Sequence, residues 1–421
     1  MSINRRRSRV ASVVAGIGIV AVLVAGCSRG GAEPDGDGGA AAASPGITDT
    51  TITLGMTTPL SGGTAGPGTC TVAGLKAYFG NVNAAGGIEF GDGKTRTVEI
   101  KALDDEYDPQ KAKANYDQLK GSVFAMTAGL GTPTNRAWRE AAIADEVPQV
   151  LIQTGDPLFS NKEESPWQLG FVPVYQNEGE AFGELLAGAG GEHKVAILSQ
   201  NDDYGEGYVE GFKSAIEGAD NIEIVKELTY EATDTSVDAQ LTELAASGAD
   251  VLFNAMSITP LVISSLQKVQ EIGWLPSLFL PSNTSSPTAI LEPGGAAALP
   301  AVYTVSFAKT PQSPAFAEDE DVVTFLSDLA EYADYPEAPA FPHCMWSYMI
   351  GATLEQVFTK MTEPTREDFM AQLRTISDFE APLMLPGTSV DTTEDDQPAV
   401  STVQVIKYNG KGYEAVESWD E

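Results

Sequence analysis

A twice-repeated exchange of hydrophobic periods, beginning near Thr51, constrains this chain more than any other feature. Thr51–Thr57 is a short β-type run. Val72, Leu75, Phe79 and Val82 then recur at helical spacing, and Gly86 with Gly87 stops that helix. Thr97–Leu103 alternates as a strand, and Asp108 and Pro109 supply an N-cap and a first-turn proline for a helix that Gly121 ends. Val123–Thr127, a helix from about Thr134 to Asp145, and Gln149–Ile152 continue the series. The pattern then restarts. Lys194–Ser199 reads as a strand, and Tyr204–Glu217 as a helix with Tyr208, Phe212 and Ile216 along one face. Ile222–Leu228, the helix Val237–Ser247 with Leu241 and Leu244, Ala249–Asn254, and a helix through Leu266 to Ile272 follow. Strands alternating with helices bury a parallel sheet under helices on both faces. Two such blocks predict an α/β fold of two doubly wound parallel-sheet lobes. The helix Cys344–Lys360 and the runs Thr402–Tyr408 and Lys411–Val416 are too few for a third lobe. They return to the first two, and several chain crossings between lobes make a hinge.

The N-terminus has a different character. Arg5, Arg6, Arg7 and Arg9 precede an apolar and small-residue run from Val10 to Ala25, followed by Gly26 and Cys27. A positive n-region, a short apolar h-region and small residues at the cut site predict a secretory signal peptide over 1–26. The run is shorter than the ~20 residues a spanning helix needs, although an uncleaved anchor helix is the alternative. This end resembles a bacterial lipobox, which implies cleavage before Cys27 and acylation of its thiol. The arginine run does not distinguish the general from the twin-arginine export route. Residues 27–46 are mostly Gly, Ala, Ser, Pro and Asp, with almost nothing to bury, and predict a flexible tether.

The formal charge is −34, and removing residues 1–26 takes away four arginines and no acid, leaving −38. Such a surface repels nucleic acid and anionic headgroups, so no nucleic acid partner is expected. If Cys27 carries lipid, Cys70 and Cys344 remain of the three cysteines. In an oxidising compartment that pair forms a disulfide, and closing so long a loop stabilises by roughly 4–5 kcal/mol in the chain-entropy model. The alternative is two separate buried thiols.

Several segments together carry a family resemblance. They are Thr51–Gly55 leading into Thr58-Pro59-Leu60-Ser61-Gly62, the turn Asn83-Ala84-Ala85-Gly86-Gly87-Ile88, the acidic run Asp104–Pro109, and Asp203-Tyr204-Gly205-Glu206-Gly207. In this order and spacing the chain, from about Thr51 to Val416, resembles the extracytoplasmic solute-binding proteins of ABC transporters, in the branch typified by the leucine/isoleucine/valine-binding protein. The resemblance implies the type 1 periplasmic binding protein fold, with two lobes joined by a three-strand hinge. Crossings then fall near Phe171–Val174, Val302–Ser306 and Leu385–Val390. The lobes comprise residues 47–172 plus 304–386, and 173–303 plus 387–421. Cys70 and Cys344 both fall in the first lobe.

In open α/β sheets ligands sit beyond the carboxyl ends of the strands. On the first lobe three loops qualify: the glycine-rich stretch at Ser61–Thr69, Gly129–Thr134, and Gln153–Asp156. The resemblance implies Ser61, Thr132, Thr134, Gln153, Thr154 and Asp156 as ligand positions there, with Thr134 equally readable as a helix cap. On the second lobe it implies Tyr204 as an aromatic wall, alternatively an exposed turn tyrosine, together with Met256, Ser257 and Asn283. Asn283 falls where amino-acid-binding members carry a carboxylate, and an amide cannot supply that charge; Asp156 would have to compensate. No metal, cofactor or catalytic residue is expected. Gly93-Lys94-Thr95 follows Ile88 where a phosphate loop requires glycine, no Gly-x-Ser-x-Gly turn occurs, and only His193 and His343 are available. The acidic runs Glu318–Asp321 and Glu394–Asp396 lack calcium-loop spacing and read as solvated surface. The function implied is a lipid-anchored binding component of an uptake transporter. It would take a small polar solute, an amino acid, amide or small carboxylate, by hinge closure and pass it to permease subunits. The alternative is a sensor using the same cleft to signal to a membrane receptor.

Overall fold

The computed structural model describes residues 42–335 and 339–419. The signal peptide, Cys27 and most of the tether lie outside the described residues. The chain runs β1 (Thr51–Thr58), α1 (Ala65–Ala84), β2 (Ile88–Glu89), β3 (Thr95–Asp104), α2 (Pro109–Leu119), β4 (Ala125–Thr127), α3 (Thr132–Arg136), α4 (Arg139–Ala144), β5 (Gln149–Ile152) and β6 (Gln168–Gly170). These strands form one sheet in the order β2-β3-β1-β4-β5-β6, parallel except where β2 meets β3. The local signals act as expected in α2, where the Asp108 carboxylate accepts from the amides of Gln110 and Lys111.

The second block runs α5 (Tyr175–Ala187), β7 (His193–Gln200), α6 (Asp203–Ala215), β8 (Ile222–Tyr230), α7 (Asp238–Ala245), β9 (Val251–Ala255), α8 (Thr259–Glu271), β10 (Ser277–Phe279) and β11 (Val302–Ser306). After it come α9 (Glu320–Tyr332), α10 (His343–Lys360), α11 (Arg366–Leu373), β12 (Gln404–Tyr408) and β13 (Tyr413–Ala415). The second sheet has the order β13-β12-β11-β10-β9-β7-β8, with β12 and β13 antiparallel additions to a parallel core. Every residue of β9 is buried, as a strand covered by helices on both faces must be.

The tail serves both halves. α9 and α10 pack on α1, while β12 and β13 extend the second sheet. Cys70 of α1 and Cys344 of α10 form a disulfide, with Cα atoms 4.5 Å apart. The two helices meet closely because Gly74 has no side chain; a Cβ there would lie 2.0 Å from the Cys344 carbonyl oxygen. Gly74→Ala therefore forces the helices apart, and a loss of about 3 kcal/mol is expected from overpacking, read as a lower melting temperature.

Three expectations need correction. The helix expected from Thr134 to Asp145 is broken into α3 and α4 at Trp138. Tertiary contacts override the helical pattern there: Trp138 is buried and stacks on Tyr116 at 4.9 Å, and Arg139 turns inward to Glu164 and Ser165. The third crossing does not fall at Leu385–Val390. Residues from 387 stay hydrogen-bonded to the first half, through Val390 with Phe379 and through the amides of Ala399 and Val400 on Gly170 and Phe171. The chain reaches the second sheet only at Gln404. Glu318–Asp321 is not simply solvated surface either. Asp319 caps α9, and Asp319 and Asp321 both hold Lys309, at 2.9 Å each.

Candidate functional site

The carboxyl ends of strands from both sheets converge on one small cavity. From the first half come Thr64 after β1, Tyr107 after β3, Leu130–Thr132 after β4, and Gln153 after β5. From the second come Tyr204 after β7, Ser257 after β9, and Ser282 and Asn283 after β10. Tyr175 and Glu178 of α5, Tyr208 of α6, and His343 and Trp346 of α10 also line it. A neighbouring small cavity shares Ser282 and Trp346 with it.

The acidic run after β3 builds one edge. Asp104 accepts from the Leu60 amide and the Ser61 hydroxyl, both at 2.7 Å. Asp105 accepts from Thr57 Oγ1 and the Tyr107 amide, both at 2.9 Å, and burial pushes its carboxyl up to about 6. These bonds hold Glu106 and Tyr107 at positive φ, 52° and 61°, a conformation non-glycine residues rarely adopt. The Tyr107 hydroxyl thereby reaches Ser257 and Gln200 of the second half. Gly131 faces the same ring at φ 106°; a Cβ there would sit 2.7 Å from Tyr107 Cε2, so glycine is required on both counts.

Opposite lies a triangle of hydroxyls. Thr132 Oγ1 is 2.8 Å from both Thr154 Oγ1 and Tyr175 OH, and the last two are 3.0 Å apart. Each hydroxyl both donates and accepts, so the triangle can turn a donor toward a solute. Gln153 donates from Nε2 to Ser347 Oγ at 2.7 Å. In the second half, Tyr204 OH lies 3.2 Å from the Met256 carbonyl and 3.0 Å from Asn283 Oδ1. Ser257 Oγ donates to Gln200 Oε1 at 2.6 Å, and Tyr230 OH donates to the same oxygen at 2.7 Å.

Of the positions expected from sequence, Thr132, Gln153, Tyr204, Ser257 and Asn283 lie on the cavity wall. Tyr204 is 2% exposed, so it is not a turn residue in solvent. Thr154 stands behind Thr132. Ser61 is exposed and spends its hydroxyl on Asp104. Thr134 bonds back to the carbonyls of Leu130 and Gly131, a local role in its helix. Asp156 is engaged by Arg136, at 2.5 Å to Nε and 3.0 Å to Nη2, and is not free to replace the acid missing at Asn283. Arg136 also reaches Asp203 of α6 at 2.7 Å, so one guanidinium ties the two halves together beside the cavity.

Sequence reasoning missed Tyr107, Tyr175, Glu178, Tyr208, His343 and Trp346. Glu178 is 2% exposed and accepts from the Ser282 amide at 3.0 Å and from Ser282 Oγ at 2.7 Å, with Tyr208 as a further donor. Burial pushes its carboxyl up to about 7 despite those donors. His343 is buried, its ring 4.7 Å from that of Trp346, and its Nδ1 has no hydrogen-bond partner. Burial pushes its imidazole down to about 3. Folded protein thus binds fewer protons here than unfolded chain below the ordinary histidine value, and stability falls as pH drops from 6.5 toward 3. His343→Gln removes that dependence. Its stability relative to the native chain is expected to improve by about 2 kcal/mol between pH 7.5 and pH 5, measured by denaturant titration at both values.

Among the described residues no group of His, Cys, Asp and Glu is arranged to hold a metal ion. None of their helices is long and apolar enough to cross a membrane. The family model for periplasmic binding proteins matches residues 51–413. The chain belongs to the periplasmic binding protein family. A curated relative, the Leu/Ile/Val-binding protein homolog 3 of Brucella melitensis biotype 1, is 26% identical over 213 residues. That match covers 48% of this chain and 53% of the relative, so it spans about half the relative's length. Solved structures of the same fold include the fatty acid ABC transporter substrate-binding protein from Thermomonospora curvata, at 23% identity and TM-score 0.76, covering 91% of this chain and 95% of that one. The branched-chain amino acid transporter substrate-binding protein LivJ from Streptococcus pneumoniae, in complex with isoleucine, matches at 20% identity and TM-score 0.70, covering 87% and 99%. At these identities the structures share the fold with this periplasmic binding protein.

Proposed function

We propose that this periplasmic binding protein is the lipid-anchored substrate-binding component of an ABC uptake transporter. It takes a small polar solute, an amino acid, amide or small carboxylate, between its two lobes. The observation that supports this most is the shared cavity, whose walls come from strand ends of both sheets. A solute touching both lobes favours the arrangement that brings them together, and so shifts the population toward the closed form. Arg136 and Tyr107, which reach across to the second half, belong to that closed form. The closed form then presents both lobes to permease subunits. In this reading residues 387–400 belong with the first lobe, which the hydrogen bonds of Val390, Ala399 and Val400 support. Membrane attachment rests on the Arg-rich N-terminus, the apolar run and Cys27.

A thermal-shift panel of amino acids, amides and small carboxylates tests the solute-binding reading. A solute at a hundred times its dissociation constant stabilises by about 2.7 kcal/mol. The expected result is a clear shift with at least one class; no shift across the panel counts against the reading. Cys27→Ser tests the anchor separately: the variant is expected to leave the membrane fraction, and its retention there contradicts acylation.

A further inference from the structure

The chemistry of the cavity wall narrows the solute further, on the footing of the solute-binding reading above. Three observations bear on it. Five aromatic side chains stand on the wall: Tyr107, Tyr175, Tyr204, Tyr208 and Trp346. Three of these form a tight group, with ring centres 4.8 Å apart for Tyr175 and Tyr208, 4.9 Å for Tyr175 and Tyr204, and 5.1 Å for Tyr204 and Tyr208. Among the described residues that line the wall, Glu178 is the one carboxylate and none is a lysine or arginine. The nearby cation Arg136 is already held by Asp156 and Asp203. Finally, Glu178 is bonded to Ser282, the immediate neighbour of Asn283.

These facts weigh unequally on the candidate solutes. A buried carboxylate without a cation is unfavourable, and it is relieved by an opposite charge brought into contact. Aromatic faces attract cations, and a desolvated box of rings is a recurrent receptor for organic ammonium groups. An anionic solute would gain neither contact and would meet Glu178 with no positive side chain to offset it. Glu178 has donors from Ser282 and Tyr208, and a carboxylate offers about four acceptor positions, so capacity remains for another donor.

We infer that the solute carries a protonated nitrogen, that Glu178 is its counter-ion, and that aromatic side chains of the wall contact it. The charge missing at Asn283 is thus supplied from the next element in space, the first turn of α5. The polar remainder of the solute meets the hydroxyls of Thr132 and Tyr175 and the Ser257 side chain.

Titration calorimetry with two matched sets tests this: isopentylamine, isovaleramide, isovalerate and leucine, and benzylamine, benzamide and benzoate. In the native protein the amine-bearing members are expected to bind at least tenfold more tightly than their amide and carboxylate partners. Glu178→Gln keeps the side-chain shape and is expected to abolish that preference in a variant that still melts cooperatively. A merely structural glutamate would leave the ratio of amine to amide affinity unchanged in the variant, and that result overturns the inference. Tighter binding of an amide or a carboxylate by the native protein overturns it too, while leaving the solute-binding reading intact. Silence with every compound, together with silence in the broader thermal-shift panel, overturns both.

Discussion

Replacing both Cys70 and Cys344 with serine is expected to lower stability by roughly 5 kcal/mol. The bond closes a loop with a sequence separation of 274, and in the chain-entropy model the denatured chain gains the corresponding freedom when it is cut. Both sulfurs are fully buried between α1 and α10, where no solvent competes. The serine hydroxyls would also enter the buried apolar core to which Cys70 and Cys344 belong. With an unfolding entropy near 2.1 cal/mol/K per residue over roughly 380 residues, the melting temperature falls by about 6 °C. Scanning calorimetry of the double variant beside the native protein checks it. An unchanged transition would mean that the bond adds nothing to the fold.

The second large effect is expected at Arg136. Its guanidinium holds Asp156, whose side chain is 1% exposed, with two hydrogen bonds. Arg136→Ala leaves that carboxylate buried with the Leu158 amide as its remaining donor among the described residues, and breaking a buried pair from one side costs about 3 kcal/mol. The contact with Asp203 is different in kind. Both its side chains are more than a third exposed, so screening reduces its worth to roughly 0.5–1 kcal/mol. Asp203→Asn removes only that arm. It is expected to leave the melting temperature of solute-free protein nearly unchanged, yet to weaken solute affinity about three- to fivefold through a less favoured closed form. Denaturant melts and calorimetric titrations of the two variants separate the roles. Equal loss of stability in both would contradict the division.

The alternation of strands and helices was legible because each local signal agreed with the burial it served. Thr51–Met56 alternates threonine or glycine with apolar residues, Val251–Ala255 is a mostly apolar run of strand length, and Asp108 with Pro109 marks a helix start on its own. The break at Trp138 was not legible. Its cause is a stacking partner, Tyr116, that no local pattern announces. The site divides in the same way. Thr132, Gln153, Tyr204, Ser257 and Asn283 follow strands or start helices, where a parallel sheet places ligands. Tyr175, Glu178 and Tyr208 lie inside helical patterns, and Tyr208 read as ordinary packing with Phe212. One signal was available. Tyr175, Glu178, Phe182 and Leu185 share the buried stripe of α5, and an acid on an apolar stripe is seldom buried without a partner. His343 could be weighed as a nucleophile's partner or set aside. Its place on the cavity wall depends on α10 packing against α1, a contact between segments far apart in sequence.

The account rests on the cavity between the two halves being the place where solute binds. Leu130→Trp fills that cavity from a side chain that is 7% exposed and carries no hydrogen-bonding group. Calorimetric titration of the variant with the tightest-binding compound of the panel, beside the native protein, is the most direct test. The expected result is one site per chain in the native protein and loss of binding by at least a hundredfold in a variant that still melts cooperatively. Undiminished binding by the filled variant would place the solute elsewhere and contradict the account.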